Sequence, residues 1–145
     1  MRRLILCTAA ASAALLATAV PAWATPKPYV AHLSGAEEVP NPGPAGATGT
    51  ANVQLDAATG QVCYTLTYSP QIGKLTASHI HRGARGGEGP IVVNLTPVAS
   101  GGHACVTSTP DQVKQIESDP GGYYVNLHTA ASPGGAVRGQ LATGA

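Results

Sequence analysis

Three histidines are spaced as metal ligands would be on neighbouring β-strands. His79 and His81 are separated by one residue, and on a strand their imidazoles emerge from the same face about 7 Å apart. His128 stands in a later alternating segment, on the face opposite to the apolar Val125 and Leu127. Neutral imidazole suits copper or zinc, whereas calcium and magnesium prefer carboxylates, which no neighbouring position supplies. The spacing predicts a metal site at His79, His81 and His128, with ordinary exposed histidines as the alternative.

A positive charge is predicted on the same side of the sheet. In the final alternating segment Val137 and Leu141 face inward, which leaves Arg138 and Gln140 on the outward, non-core face. An arginine beside a metal site attracts and orients an anionic substrate. Arg138 is therefore the candidate catalytic residue, provided that the strands concerned are neighbours. The alternative is a surface arginine hydrogen-bonded to the turn before it.

The N-terminal segment has the features of a cleaved signal peptide. Residues 2–3 are basic, residues 4–20 are apolar, and residues 22–24 read Ala-Trp-Ala, with the small residues that signal peptidase accepts. A permanent membrane anchor is the alternative, and Pro21 together with the cleavage pattern disfavours it. Residues 1–24 are thus predicted to be removed, leaving a secreted or periplasmic protein.

Export changes the charge and the cysteine content that bear on function. Two of the eight Lys and Arg residues lie in the predicted signal peptide and all seven acidic residues follow it, so six positive and seven negative charges give a net charge of −1. So balanced a charge argues against partners such as nucleic acid or anionic membranes. Cys63 and Cys105 are the cysteines left. In an exported chain they predict one disulfide, closing a loop of about 40 residues and contributing about 3–4 kcal/mol.

Glycine and proline fall mainly between short alternating or apolar runs, which is typical of turns in a β protein. The predicted strands are residues 29–33, 50–55, 62–68, 75–82, 90–95, 105–107, 123–129 and 136–141. Thr109 is the predicted N-cap of one helix that begins at Pro110. Pro120 ends that helix by about Ser118. The pattern predicts a single all-β domain, residues 25–145, built as an antiparallel sandwich or barrel.

Five segments resemble successive signatures of the CHRD (chordin-type) domain family. They are residues 33–40 (LSGAEEVP), 77–83 (ASHIHRG), 89–93 (GPIVV), 123–129 (YYVNLHT) and 133–141 (PGGAVRGQL). The segments come in family order and span nearly all of the predicted mature chain. CHRD domains occur in chordin and in many exported microbial proteins. The resemblance therefore implies an extracellular CHRD domain over residues 25–145.

A more distant resemblance bears on mechanism. Residues 79–81 (HIH) are similar to the His-Val-His strand that supplies two copper ligands in copper–zinc superoxide dismutases, and His128 resembles their late copper histidine. Residues 134–138 resemble the glycine-rich turn that leads to their anion-guiding arginine, here Arg138. That family folds as an eight-stranded Greek-key barrel. The resemblance implies the same fold, copper as the cofactor and superoxide as the substrate.

The departures from that second family concern zinc. Residues 82–90 are too few for its zinc-binding loop, and they contain no histidine to match the bridging ligand. His103 follows in a predicted loop and is only a weak candidate for a fourth ligand. The pairing of Cys63 with Cys105 differs as well. The resemblance therefore implies a copper-only site, with no zinc expected.

Two functions of different classes remain open. The first is an exported CHRD protein that binds copper through three histidines and acts as a copper-only superoxide dismutase. The second is a non-catalytic extracellular binding or matrix module, in which the histidines store metal or are incidental. Hydrolase chemistry is disfavoured, because the chain has no nucleophile-elbow pattern.

Overall fold

A regular alternation of apolar and polar residues builds the central hairpin of the molecule. Ala51, Val53 and Leu55 are buried, while the residues between them are exposed. The turn that follows is held by the Asp56 carboxylate, which accepts a hydrogen bond of 2.9 Å from the backbone N–H of Ala58. This bond makes an Asx-turn, the local structure that favours aspartate at such positions. The hairpin predicted from the alternation is confirmed.

A computed structural model describes residues 25–144, which form eight strands and one α-helix. The elements are β1 (Lys27–Ser34), β2 (Thr48–Asp56), β3 (Gln61–Tyr68), β4 (Leu75–Arg82), β5 (Ile91–Leu95), β6 (Gly102–Thr107), α1 (Pro110–Ser118), β7 (Tyr123–Thr129) and β8 (Val137–Thr143). The predicted signal peptide, residues 1–24, lies outside the described residues. Within residues 25–144, no helix is long and apolar enough to cross a membrane.

All eight strands join one antiparallel sheet in the order β5-β4-β7-β8-β1-β2-β3-β6. The two end strands, β5 and β6, contact each other across the remaining gap, so the sheet curls into a nearly closed barrel. β7 returns to pair with β4, which is the Greek-key arrangement. The predicted all-β Greek-key barrel with one short helix is confirmed.

One predicted strand is too short. The sequence pattern begins a strand at Cys105, but β6 begins at Gly102, so His103 lies on a strand and not in a loop. Pairing with β3 extends the strand, because Leu66 is opposite Gly102 and Thr65 is opposite His103. Glycine is unfavourable in strands, but the hydrogen bonds that the neighbouring strand supplies outweigh this tendency.

The helix closes one end of the barrel. The Thr109 hydroxyl accepts a hydrogen bond of 3.1 Å from the backbone N–H of Gln112, a cap that is worth about 1 kcal/mol. Val113 and Ile116 are fully buried, and they lie on the face of α1 that contacts β2 and β3. The predicted helix, its N-cap and its end at Ser118 are confirmed.

The outer face of β4, β7 and β8 is partly covered by two loops, and the histidines on it are half-buried. The inward residues Ile80, Val125 and Val137 are fully buried in the barrel. On the opposite side, the segment between β1 and β2 contributes Glu38, which is 4% exposed, and lies over Arg138 on β8, which is 2% exposed. The loop between β4 and β5 covers the rest. The part of this polar face around Glu38 and Arg138 is therefore a second, smaller interior.

Candidate metal centre

Pairing of β4 with β7 brings the three predicted histidines together. Ala77 is opposite His128 and His79 is opposite Asn126, so His79, His81 and His128 all project from the outer face. Their ring centroids are 4.9 Å apart for His79 and His128, and 5.5 Å apart for His79 and His81. One ring nitrogen of each histidine lies within 4.8 Å of the other two. Small ring rotations would let all three reach one ion, since metal–imidazole bonds are about 2.0–2.1 Å.

Backbone carbonyls determine which nitrogen each ring can offer. His81 Nδ1 lies 2.8 Å from the carbonyl oxygen of Gly89, and His128 Nδ1 lies 3.1 Å from that of Pro133. A carbonyl only accepts, so both Nδ1 atoms carry the hydrogen and both Nε2 atoms keep a lone pair. His81 Nε2 is buried with no hydrogen-bond partner among residues 25–144. Such an orphaned lone pair is what an absent ligand would satisfy.

The third histidine points its Nδ1 at the same place. His79 Nδ1 lies 3.1 Å from His128 Nε2. With His79 in the Nδ1–H tautomer the two rings form a hydrogen bond, and in the other tautomer both lone pairs face one point. The ligand atoms that the geometry offers are therefore Nδ1 of His79 and Nε2 of His81 and His128.

Burial favours the neutral form of all three imidazoles. Together with the neighbouring His128 and His81, it lowers the pKa of His79 from 6.5 to about 4. Burial is also the main reason that the pKa values of His81 and His128 are lowered. Because only the neutral ring can bind a metal, these shifts reduce the competition from protons near neutral pH.

Tyr124 joins the histidines to the arginine. Its ring is stacked on His81 at a centroid distance of 4.8 Å, with planes 8° apart. The guanidinium carbon of Arg138 lies 3.6 Å from the centre of the same ring, which is a cation–π contact. Because β7 lies between β4 and β8, Tyr124 connects the two residues and fixes their spacing.

Arg138 lies on the predicted non-core face of the sheet, and it is buried there. Only 2% of it is exposed, because the loop between β4 and β5 covers it. Its Nη2 donates a hydrogen bond of 2.8 Å to the carbonyl of Gly87, so its partner belongs to that loop and not to the turn before β8. Its charge nonetheless reaches the histidines, since it contributes to the lowered pKa of His81.

The loop at residues 83–90 makes hydrogen bonds with residues of three strands, β4, β7 and β8. The carbonyl of Gly89 orients His81, and its N–H donates a 3.2 Å hydrogen bond to the Tyr124 hydroxyl. The carbonyl of Gly83 accepts a 2.9 Å hydrogen bond from Gln140 on β8. A side chain at Gly89 would collide with the Arg82 carbonyl. Glycine is thus needed where the backbone itself supplies the contacts of the site.

Glu38 is a buried carboxyl that sequence reasoning did not place in the site. Asn126, opposite His79 on β7, donates a 3.2 Å hydrogen bond to Glu38 Oε2. Burial raises the pKa of Glu38 from 4.5 to about 7, although the charge of Arg138 and the Asn126 bond both lower it. Gly135 passes so close that any side chain there would strike the carboxyl. Two adjacent acids before Val39 and Pro40 were the available signal, because acids are rarely buried without a role.

His103 belongs to another part of the barrel. It lies on β6 beside Cys63 and Cys105, and the group formed by His79, His81 and His128 does not include it. The weak expectation of a fourth ligand is therefore not supported. The predicted disulfide is confirmed, with an S–S distance of 2.08 Å between Cys63 and Cys105.

A nearly closed Greek-key barrel with convergent imidazoles on one outer face defines an all-β module with a candidate metal centre. The sequence model of the CHRD domain family matches residues 29–141, and the chain belongs to that family. No curated protein and no solved structure matches the chain, so the likeness to copper–zinc superoxide dismutases gains no support from the comparisons. CHRD domains are extracellular, and the disulfide fits an oxidising compartment.

Proposed function

We propose that this CHRD domain is exported and binds one copper ion through Nδ1 of His79 and Nε2 of His81 and His128. The observation that supports this is the orientation of the rings. The far nitrogens of His81 and His128 are held by backbone carbonyls, and the near nitrogens of all three lie within 4.8 Å of one another. Metal-binding histidines are usually oriented by such second hydrogen bonds.

The donor set favours copper over other ions. The group formed by the described residues contains three imidazoles and neither a carboxylate nor a thiolate. Nitrogen donors bind Cu²⁺ more tightly than Zn²⁺, and hard cations such as calcium prefer oxygen. Three protein ligands also leave a coordination position open to a small molecule. The proposed site therefore holds copper alone, with no zinc beside it.

Copper titration of the oxidised mature protein tests the proposal. We expect one equivalent of tightly bound copper, with nitrogen hyperfine structure in the electron paramagnetic resonance spectrum. Replacement of His79, His81 and His128 by Ala should abolish this binding while circular dichroism still reports the β-sheet. His32→Ala is the matched control, because His32 is exposed on β1 and should not affect copper. Unchanged copper content in the triple variant would reject the site.

We further propose superoxide dismutation at this centre. Copper, when bound, supplies one-electron exchange that oxidises one superoxide to dioxygen and reduces a second, with two protons, to hydrogen peroxide. Arg138 supports this role through its field, because a guanidinium that is 2% exposed acts more strongly than one in water. Its bond to Gly87 and its contact with Tyr124 keep the charge at a fixed place. A fixed positive potential attracts a small anion.

Turnover is tested with stopped-flow superoxide assays on the copper-loaded protein. Arg138→Ala should retain copper and lose about tenfold or more in rate, and rates should fall as ionic strength rises. Lys114→Ala, which removes an exposed positive charge on α1, is the charge-matched control and should be nearly neutral. If the loaded protein is no faster than an equal concentration of a free histidine–copper complex, the enzymatic proposal fails.

The second candidate is a non-catalytic extracellular binding or matrix module. The burial of Arg138 favours it, because a guanidinium that is 2% exposed and is bonded to Gly87 is not free to contact a substrate directly. Copper binding without turnover would be the expected result. Both candidates require export, so protein recovered from outside the cytoplasm should begin at Thr25. A chain that begins at Met1 would contradict the proposed cleavage.

A further inference from the structure

A second group of metal-binding atoms lies on the outer face of β3 and β6. Cys63 and Cys105 are directly opposite each other in these strands and form the disulfide. His103 comes two residues before Cys105, so both project from the same face of β6. The two sulfur atoms and one ring nitrogen of His103 all lie within 4.8 Å of one another. This Cys63–His103–Cys105 group has no part in the proposed copper centre.

The histidine of this group is already oriented toward a sulfur atom. His103 Nε2 lies 3.6 Å from Cys105 Sγ, and its Nδ1 lies 3.4 Å from the Thr65 hydroxyl on β3. His103 and Cys105 are exposed. A cavity of about 110 Å³ is lined by Cys63 and His103 of the group, with Asn52 and Gln54 among its other lining residues. An ion with a bound water has room there.

The sulfur–nitrogen distance fits one edge of a tetrahedral site. Bond lengths of about 2.3 Å to sulfur and 2.0–2.1 Å to nitrogen place those two ligands about 3.6 Å apart around zinc. His103 Nε2 and Cys105 Sγ have this separation. The second sulfur would need to be about 3.8 Å from the first, which requires the disulfide to open. Since Cys63 and Cys105 are cross-strand neighbours, rotation of their side chains is enough.

We propose that the Cys63–His103–Cys105 group is a redox-gated site for a thiophilic cation of the Zn²⁺ or Cu⁺ class. A dithiol reductant gives two electrons and two protons to the disulfide and itself becomes a disulfide. The cation then displaces one proton from each thiol, and His103 adds a neutral nitrogen, while water takes any further position. In the disulfide the sulfur atoms are bonded to each other, so the site is closed.

This gate has a direction that follows from how the disulfide forms. Cys63 and Cys105 are thiols when the chain is made, and the bond between them appears only on oxidation. The cation and the oxidant therefore compete for the same two sulfur atoms. A bound ion delays closure of the Cys63–Cys105 disulfide, and closure expels the ion.

The test begins with the His79, His81 and His128 triple Ala variant, in which the proposed copper centre cannot take up metal. The mature protein is reduced with a dithiol, freed of reductant without oxygen and titrated with Co²⁺. We expect one equivalent to bind with thiolate-to-cobalt charge-transfer absorption, which Zn²⁺ then removes. The oxidised protein should give no such absorption. A reduced protein without the thiolate band would overturn the proposal.

Single replacements assign the ligands in the same background. Cys105→Ser should abolish the one-equivalent binding, and His103→Ala should weaken Co²⁺ binding at least tenfold while thiolate absorption persists. The control is His32→Ala, which removes an exposed histidine of β1 and should change nothing. Equal Co²⁺ affinity in the His103→Ala variant and its parent would show that His103 is not a ligand.

A second measurement uses the protein with all its histidines. Alkylation of Cys63 and Cys105 in the reduced form should slow at least tenfold when Zn²⁺ is added, because bound thiolates are not nucleophilic. The three-histidine centre contains no thiol, so it cannot produce this result. If the reduced chain loses its β-sheet circular dichroism, recovery on adding Zn²⁺ supports the proposal. Disorder with and without Zn²⁺, or unchanged alkylation, overturns it. The copper proposal is tested in the oxidised protein and stands or falls separately.

Discussion

Two outer faces of one barrel carry histidines beside other metal-binding groups, and they differ in what covers them. On β4 and β7 the imidazoles of His79, His81 and His128 lie beneath loops, and two of them are tied to backbone carbonyls. On β3 and β6, His103 is exposed beside a covalently closed pair of sulfur atoms. The first face presents lone pairs whatever the redox conditions. The second face presents them only after reduction.

The difference shows that burial by loops, more than the type of residue, determines whether ring nitrogens are ready to bind a metal. Burial lowers the pKa values of the three histidines on the first face. A metal ion therefore meets less competition from protons for these ring nitrogens. The loops also bury Glu38 and Arg138 almost completely on the same side of the sheet. On β3 and β6, by contrast, His103 and Cys105 are exposed, and the disulfide determines which atoms are available.

The largest expected effect separates the two faces directly. In the oxidised protein, His81→Ala should weaken copper binding at least 100-fold, which is about 3 kcal/mol, because it removes a ligand whose lone pair is already oriented. His103→Ala should change copper affinity by less than about twofold, since its neighbouring sulfur atoms are bonded to each other. Equilibrium dialysis against a copper buffer measures both. Equal losses would show that the two faces do not differ as described.

The second prediction concerns the disulfide as a structural bond. Replacing both Cys63 and Cys105 by Ser should lower the free energy of unfolding by about 3–4 kcal/mol, because the unfolded chain without the cross-link has more conformational entropy. Urea denaturation measures the loss. Copper affinity at the first face should be almost unchanged in the folded variant. An oxidised wild-type protein with two free thiols would contradict the premise, and its intact mass would then not differ from the reduced mass by two hydrogen atoms.

The third prediction concerns the buried carboxyl of the first face. The pKa of Glu38 is raised from 4.5 to about 7 in the folded protein, so the folded chain holds a proton that the unfolded chain releases between these values. Its contribution to stability is therefore lost as pH rises through that window, by about 1–3 kcal/mol.

Comparison with Glu38→Gln isolates this effect. The variant keeps the shape and cannot titrate, so the difference in unfolding free energy between it and the wild type should change between pH 4.5 and 7. The lowered histidine pKa values act oppositely, since they favour the unfolded chain as pH falls below 6.5, but both proteins share them. A difference that is flat across the window would mean that Glu38 is not protonated in the folded state.

The smallest expected effect comes from the hydroxyl of Tyr124. Tyr124→Phe removes only the acceptor of the Gly89 N–H, a bond of 3.2 Å, and should cost less than about 1.5 kcal/mol of stability. It keeps the ring that stacks on His81 and contacts Arg138, so copper affinity should shift by only a few fold. Tyr124→Leu is the informative contrast, because it removes the ring and should disturb both neighbours. Similar copper affinities in the two variants would assign the ring no positioning role.

Much of the fold followed from local patterns. The alternation at Ala51, Val53 and Leu55 predicted a strand and its buried face, and the capping hydroxyl of Thr109 predicted the start of the helix. These features depend on neighbours within a few residues along the chain, so they can be predicted from the sequence alone. The disulfide was predictable because only Cys63 and Cys105 follow the predicted signal peptide. The start of β6 was missed because Gly102 and His103 join the strand only through pairing with β3.

The sequence by itself determined which face of a strand each histidine occupies, because side chains alternate with a period of two. His79, His81 and His128 were assigned to one face for that reason. It could not determine what covers that face. The burial of Arg138 and Glu38 depends on contacts between distant parts of the chain, such as the bond from Arg138 to Gly87. The tautomers of His81 and His128 depend on how the loops after their own strands fold back, and the stacking of His81 on Tyr124 depends on the pairing of β4 with β7. Long-range packing places those loops, and only the tertiary structure contains it.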